Sequence, residues 1–519
     1  MRTLDLANPG QLSMALLPEL VLMGGAMLIL LWAGWKRESD NHQRTIGWAS
    51  LALVVITAAA VYWSSRQFAA ATNGPVAIDN FRWMMDVVIL LGTGLTIALA
   101  MDENRRERIL SPESHVLVLF ASSGMMLLAA ATDLMIVFLG IELMSISVYA
   151  LAGINRRSAR GAEGALKYFL LGAFATAFLL YGIALVYGAT GSTNIQRIAG
   201  TIWSLGLTSS PLLLVGLAML VIGFAFKIAA VPFHMWAPDV YDGSPSAITA
   251  YMAATVKAAA FAAFIRVWLQ GFPGMGWWWY PSVFGIAVAS MIAGNAIGLA
   301  QKNLKRMLAY SSIGHAGYLL VLMAAGTAEA TSALVFYLIA YTLATFGAFA
   351  GIVSLSQPGR GTVMIDELSG LWKRRPWVAL AMGVMMLALL GFPFFGGAGF
   401  FAKWYVLQVA VHAPVKQTTL AVILVLTTVV SAGYYLHVVM MMFMRQPSEG
   451  APAPEPPPSG GITRAVLLVT TVLILLIGLA PESLVRLTRA SRVETVTPSR
   501  GGMPSAIPTL RPAEPSLSR

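Results

Sequence analysis

Residues 211–231 read PLLLVGLAMLVIGFAFKIAAV, twenty-one residues with a single charged side chain, Lys227. About 20 apolar residues suffice for a helix to cross the hydrocarbon core of a bilayer. Comparable runs recur from residue 13 to residue 480. The whole chain agrees: 519 residues, 57% hydrophobic, 11% charged, mean hydropathy +0.73. A soluble domain carries roughly 25% charged residues, so the three or four globular units that the length suggests have no surface to cover them. The sequence therefore predicts an all-α polytopic membrane protein.

Apolar windows place fourteen spans near 13–34, 45–64, 83–101, 114–131, 133–153, 165–189, 211–231, 244–269, 281–300, 306–325, 330–355, 376–412, 418–444 and 463–480. The first is too long for a signal-peptide core and runs into Trp35, Lys36 and Arg37, so it reads as an uncleaved span. The twelfth is too long for one crossing and contains Gly391, Pro393, Gly396, Gly397 and Gly399, the composition of a broken helix. The seventh ends at Val231-Pro232 and reads as a second break. Loops after odd-numbered spans hold 18 Lys and Arg residues and those after even-numbered spans hold four, Arg66, Arg82, Arg197 and Lys416. This count makes the odd loops cytoplasmic and puts both termini outside, against the six Arg residues of the tail beyond 484.

Gly223-Phe224-Ala225-Phe226-Lys227 matches Gly399-Phe400-Phe401-Ala402-Lys403, and each copy stands beside a Pro, Pro232 or Pro393. The copies run in opposite directions, which is the mark of an inverted repeat. The resulting divisions are 1–113 (spans one to three), 114–269 and 270–445 (two inverted five-helix repeats), a Pro-rich loop at 446–462, the last span within 463–483 and a flexible tail from 484 to 519.

A charge at mid-bilayer costs about 2.5–3.5 kcal/mol on insertion scales, so charges within spans call for a reason. Glu142, Lys227, Lys257 and Lys403 lie deep, Lys167 lies near a span start within reach of Glu163, and Arg266 lies near a span end, where it is expected to snorkel. Burial disfavours the charged form of such groups unless they pair, and joined by water they make a proton path. His315 is a candidate relay between Lys257 and Lys403, with a packing role as the alternative. His234, Asp239 and Asp242 share a loop but match no metal-ligand spacing, so no metal is expected and a structured turn is the better reading. The absence of Cys excludes thiolate-held iron–sulfur clusters and disulfides in this chain. No GK[ST] loop is present, which excludes nucleotide-driven transport by this chain alone. The net charge of +11 sits between apolar spans, so the partners expected are the lipid bilayer and protons and not nucleic acid.

Four stretches carry a resemblance: Asp133 to Ser145, Lys227 through Pro232-Phe233-His234-Met235-Trp236-Ala237-Pro238 to Tyr241, Asn303 to His315, and Gly399 to Lys403. In these the chain resembles the antiporter-like membrane subunits of respiratory complex I, the proton-pumping NADH–quinone oxidoreductase, its N type most of all. The resemblance implies proton transfer without redox chemistry in this chain. Glu142 and Lys227 would be a paired acid and base, Lys257 and His315 a central relay, Lys403 the outward donor and Lys167 a further lysine of the N type. NADH, FMN, iron–sulfur clusters and quinone would belong to partner subunits, and the partners would be other membrane subunits of the complex in a bacterial inner membrane. One departure from the family's Gly-x-Pro-Pro-x-x-Gly-Phe-x-x-Lys is that Gly391 to Lys403 is two residues longer. The alternative function is a secondary cation/proton antiporter, or a subunit of one; a sodium site would want several oxygen ligands, and Glu142 is the one clear deep carboxylate. A non-transporting scaffold is the third reading, and the deep charges argue against it.

Overall fold

The computed structural model of the chain describes residues 3–6, 8–35, 39–72, 74–357, 359, 361–394, 397–446 and 460–493. Phe395 and Gly396 of the twelfth-span break, most of the Pro-rich loop and the tail from 494 lie outside the described residues. Among the described residues the chain forms helices and isolated β-bridges, with no strand.

Its principal helices are α1 (Leu17–Trp35), α2 (Asp40–Gln67), α3 (Asn80–Glu107), α4 (Glu113–Ala130), α5 (Leu134–Ala152), α6 (Ala159–Thr190), α7 (Pro211–Lys227), α8 (Ser246–Gly271), α9 (Gly276–Leu299), α10 (Leu304–Ala325), α11 (Ala328–Leu355), α12 (Pro376–Leu390), α13 (Ala398–His412), α14 (Thr418–Phe443) and α15 (Gly461–Leu479). Among the described residues, twelve helices are long and apolar enough to cross a membrane. The expected seventh and twelfth spans are not among them. Each appears as a shorter apolar helix, α7 or α12, that stops at a break.

Side-chain caps set the starts. Asp79, Asp133, Asn303 and Thr327 accept backbone N–H groups at the first turns of α3, α5, α10 and α11. Gly191 and Gly326, at φ +70° and +60°, end α6 and α10.

Packing partners recur at a fixed offset. Helix α4 packs on α5 and α8, and α9 packs likewise on α10 and α14; α6 packs on α7, and α11 on both α12 and α13. The first of these contacts is made by glycine in both halves. A Cβ on Gly124 would stand 2.7 Å from the Met144 backbone N, and one on Gly294 would stand 2.5 Å from that of Gly314. Such crossings bring helix backbones together where no hydrophobic force separates protein from lipid. Helix α8 is buried along its whole apolar window, and α10 and α11 nearly so. These three form the axis of the molecule.

Three expectations are corrected. Arg82, counted among the loop charges, is a fully buried residue of α3. Arg266 does not snorkel; it is fully buried and pairs with Asp79 at 2.6 Å. The first part of the tail is structured: helix Pro481–Arg489 packs on α11, and Val493 N–H donates to Thr331 Oγ1 at 3.1 Å, while 494–519 lie outside the described residues. An amphipathic helix, Ile195–Leu205, went unread because eleven residues are too few to span.

Candidate functional site

The backbone N–H groups that open each break turn back onto the preceding helix, as the hydrocarbon region requires. After α7 the chain turns with Ala229 at φ +55°, and Ala229 N and Ala230 N donate back to Phe226 O and Ala225 O at 3.1 and 2.9 Å. Val231 N donates to Ser290 Oγ at 2.9 Å, and the Trp236 indole donates to Phe226 O at 3.2 Å. After α12, Gly391 at φ +76° plays the same part, with Gly391 N on Leu387 O at 3.0 Å and Phe392 N on the same carbonyl at 2.9 Å. Pro232 lies within the first break and Pro393 within the second.

Each break presents a helix C-terminus, the negative end of a peptide-dipole array, and each holds an ammonium group. Lys227 is the last residue of α7, buried, and donates to Ser145 Oγ at 2.7 Å and Tyr149 OH at 3.1 Å. The Tyr149 ring lies 5.3 Å from its Nζ, within cation–π range. Lys403, on α13, reaches back across the break and donates to Leu390 O, the last carbonyl of α12, at 2.8 Å, and to Thr428 Oγ1 at 3.4 Å. The paired lysines thus stand on opposite sides of their breaks, Lys227 before and Lys403 after.

Lys257 sits in the middle of α8, directly after a π-helical stretch, Met252–Val256. It donates to the carbonyl of Ser312 at 2.6 Å and to the Ser312 hydroxyl. One turn further along α10, His315 is buried between Tyr337 OH at 2.6 Å on Nδ1 and Tyr435 OH at 3.2 Å on Nε2. A cavity of about 10 Å³ touches His315, Tyr337, Tyr341 and Lys403 together, room for about one water. The structure therefore joins Lys257, His315 and Lys403 through Ser312, three tyrosines and this space. No hydrogen bond runs directly between any two of the lysines among the described residues.

Glu142 does not join them. The expected contact with Lys227 is absent, and Glu142 makes no ion pair among the described residues. It is half-buried on a stripe of α5 with the exposed Met135, Leu139 and Ile146. Ser145, three residues on and about 60° round the helix, is buried and takes the lysine.

Lys167 is part-exposed and pairs with Glu163 at 2.6 Å and Asp239 at 3.0 Å. Asp239 also receives Arg306 at 2.8 Å, and Asp242 receives Asn303 at 2.7 Å. Where a structured turn was expected, residues Ala237–Gly243 form a short helix that carries both carboxylates; each is engaged by cations or amides, and the helix is a clasp between α6 and α10. Burial raises the Asp239 carboxyl and its bonds to Arg306 and Lys167 outweigh that, holding it below the usual range.

Ser145, Tyr149, Ser312, Tyr337 and Tyr435 escaped the sequence reading because hydroxyl side chains in apolar helices carry no signal of their own. Glu103 escaped too. Its two oxygens accept Ser246 N and Ala247 N at 2.6 and 2.8 Å and so cap α8.

Comparison with known proteins places this arrangement. Residues 131–444 match the family described as NADH:quinone oxidoreductase/Mrp antiporter, transmembrane. A protein of Gemmatimonas aurantiaca named NADH-quinone oxidoreductase subunit N is 50% identical over 430 residues, 81% of this chain and 82% of that protein. A chain of respiratory complex I from Thermus thermophilus is 36% identical, with a TM-score of 0.76 over 91% of this chain and 99% of its own length. A chain of the Mrp complex from Dietzia sp. shares the fold, with a TM-score of 0.78 at 23% identity over 92% of this chain and 96% of its own. On the matched residues and the identity across four-fifths of a relative, the chain belongs to the family of antiporter-like membrane proteins common to NADH:quinone oxidoreductase and the Mrp antiporters.

Proposed function

We propose that this chain is a proton-translocating membrane-arm subunit of an NADH:quinone oxidoreductase. Redox chemistry takes place on partner subunits that hold NADH, FMN, iron–sulfur clusters and quinone. The observation that carries the reading is the state of Lys227, Lys257 and Lys403. All three are buried, and all three are held by hydroxyls, carbonyls and dipole ends, with no carboxylate on any of them among the described residues. An ammonium group so placed gains or loses a proton without stranding a buried counter-charge. Structural ion pairs have the opposite property, as Arg266–Asp79 illustrates.

In this reading a proton reaches Lys227, moves to Lys257 at the core and leaves by way of His315 and Lys403. By the Lys and Arg count the direction is from cytoplasm to outside, across a bacterial inner membrane. Glu142 acts from the surface of α5. A carboxylate on an apolar, exposed stripe is costly against lipid, so a neighbouring membrane subunit covers it, and a charge change there sets the field at Lys227, one to two turns away. Lys167, Arg306 and Asp239 tie the short helix Ala237–Gly243 to α6 and α10 on the uptake side. Half-identity to a relative named as subunit N favours this function over the antiporter alternative, whose match reaches only the fold.

The test is gentle purification of the tagged chain from its native membrane. NADH–quinone oxidoreductase activity and iron–sulfur subunits are expected in the eluate. A chain that elutes with membrane subunits and no redox activity would instead be an antiporter component.

A further inference from the structure

Away from the lysine axis, the loop 68–79 end of α1, α3 and α8 buries a second set of charges: Glu19, Asp79, Arg82, Asp86 and Arg266. Three acids face two guanidinium groups. Arg266 is spoken for by Asp79, with Nη1 on Oδ2 at 2.6 Å and Nη2 on Oδ1 at 3.0 Å, while its plane lies 5.2 Å over the Phe81 ring. Arg82 is spoken for by Glu19, with Nη2 on Oε1 and Oε2 at 2.7 and 2.9 Å, and is further fixed by the carbonyls of Ala15 and Ala77 at 2.8 and 2.9 Å. Asp86 is the remainder. It is fully buried, and neither carboxyl oxygen accepts a hydrogen bond. Its nearest cation is Arg82 Nε, 3.7 Å from Oδ2 and itself without a partner. An ionised carboxylate with no hydrogen bond in such a place is far more costly than the neutral acid.

Position adds a direction. Asp86 lies seven residues into α3 from the capping Asp79, so about 10 Å deeper along the axis. The side chains of Glu19 and Asp79 are 8% and 18% exposed, against none for Asp86. Arg82, one turn from Asp86 on the same helix, stands between the deep acid and the shallow one. Arg266 belongs to the same helix as Lys257, nine residues nearer this end.

We propose that Asp86 is an additional proton-binding site, a neutral carboxyl group that passes its proton to Glu19 when the Arg82 guanidinium turns from Glu19 to Asp86. The step balances: Asp86 loses the proton and gains the cation as partner, Glu19 gains the proton and gives up the cation, and the cluster's net charge is unchanged. One proton moves from a sealed site to one at the edge of solvent. The site goes beyond the pumping function proposed above, and it is tested without turnover, so the two fail separately.

The experiment is infrared difference spectroscopy of the purified intact complex, without substrate, in H2O and D2O. A protonated-carboxyl C=O band that shifts on deuteration is expected, lost in Asp86→Asn and displaced in Asp86→Glu. A spectrum unchanged by Asp86→Asn overturns the assignment. So does a band that fails to shift in D2O, which would mark a proton locked in place. Should Asp86→Asn not assemble, Asp86→Glu decides: a displaced band supports the site and an unmoved one overturns it.

Discussion

At the scale of the residue, the lysines are set apart by what holds them. Lys227 has two neutral acceptors, Ser145 and Tyr149, and hydrogen bonds to charged groups are each worth about 1.5–3 kcal/mol. Removing one of them by Tyr149→Phe should slow proton translocation in sealed vesicles by about tenfold, the equivalent of roughly 1.4 kcal/mol, with the complex still assembled. Adding Ser145→Ala should abolish it. Asp239 makes a different prediction. Its folded pKa lies below the unfolded value of about 3.9, so its stabilisation is complete above that pH and is lost as pH falls through the lowered value. Asp239→Asn should therefore lower the melting temperature of the complex at neutral pH, with the difference from wild type closing in acid. The lysines were legible in the sequence because a charge in an apolar run stands out. Their partners were not, since a serine or tyrosine in a membrane helix reads the same whether it holds a lysine or fills space. Arg82, just outside the span at 83–101, passed for a loop residue, and Asp86, near the start of that span, was passed over.

At the scale of the element, the breaks do the positioning. Both Pro-marked interruptions were visible as composition, and chain order put Lys227 before its break and Lys403 after; that Lys403 reaches back to the last carbonyl of α12 was not visible, because that depends on where the backbone resumes its helix. The second break closes through Gly399, where a Cβ would stand 1.8 Å from the Ala388 carbonyl oxygen. No side-chain adjustment relieves a backbone collision. Gly399→Ala should displace α13 from α12 and with it Lys403 from Leu390, seen as a marked fall in assembled complex on native gels and in pumping by whatever remains. Glycine at Gly124, by contrast, was readable only once α4 and α5 were seen to cross there. Helix α5 carries the other lesson at this scale. Its apolarity predicted a span, but packing was needed to learn that Ser145 is buried against Lys227 while Glu142, on the neighbouring row, is left half-buried and without it.

At the scale of the whole molecule, the exposed stripe of Met135, Leu139, Glu142 and Ile146 needs a protein neighbour. The chain has no Cys, so Ile146→Cys introduces a unique thiol. It should react with a membrane-permeant thiol reagent in the isolated chain and be protected in the assembled complex; equal labelling in both would remove the neighbour from α5. The multi-span architecture was legible from hydropathy alone, since it follows from local sequence. The burial of α8 at the centre did not follow from hydropathy, because its apolar content resembles that of helices on the rim. That burial is what makes Lys257 the decisive residue: on α8, midway along the axis, it has no route to either surface except through other groups of this chain. Proton uptake into vesicles carrying the purified complex with Lys257→Met, driven by NADH and quinone, measures this directly. Loss of proton translocation in an assembled complex is expected. Wild-type protons moved per NADH oxidised would contradict a path through the buried lysines.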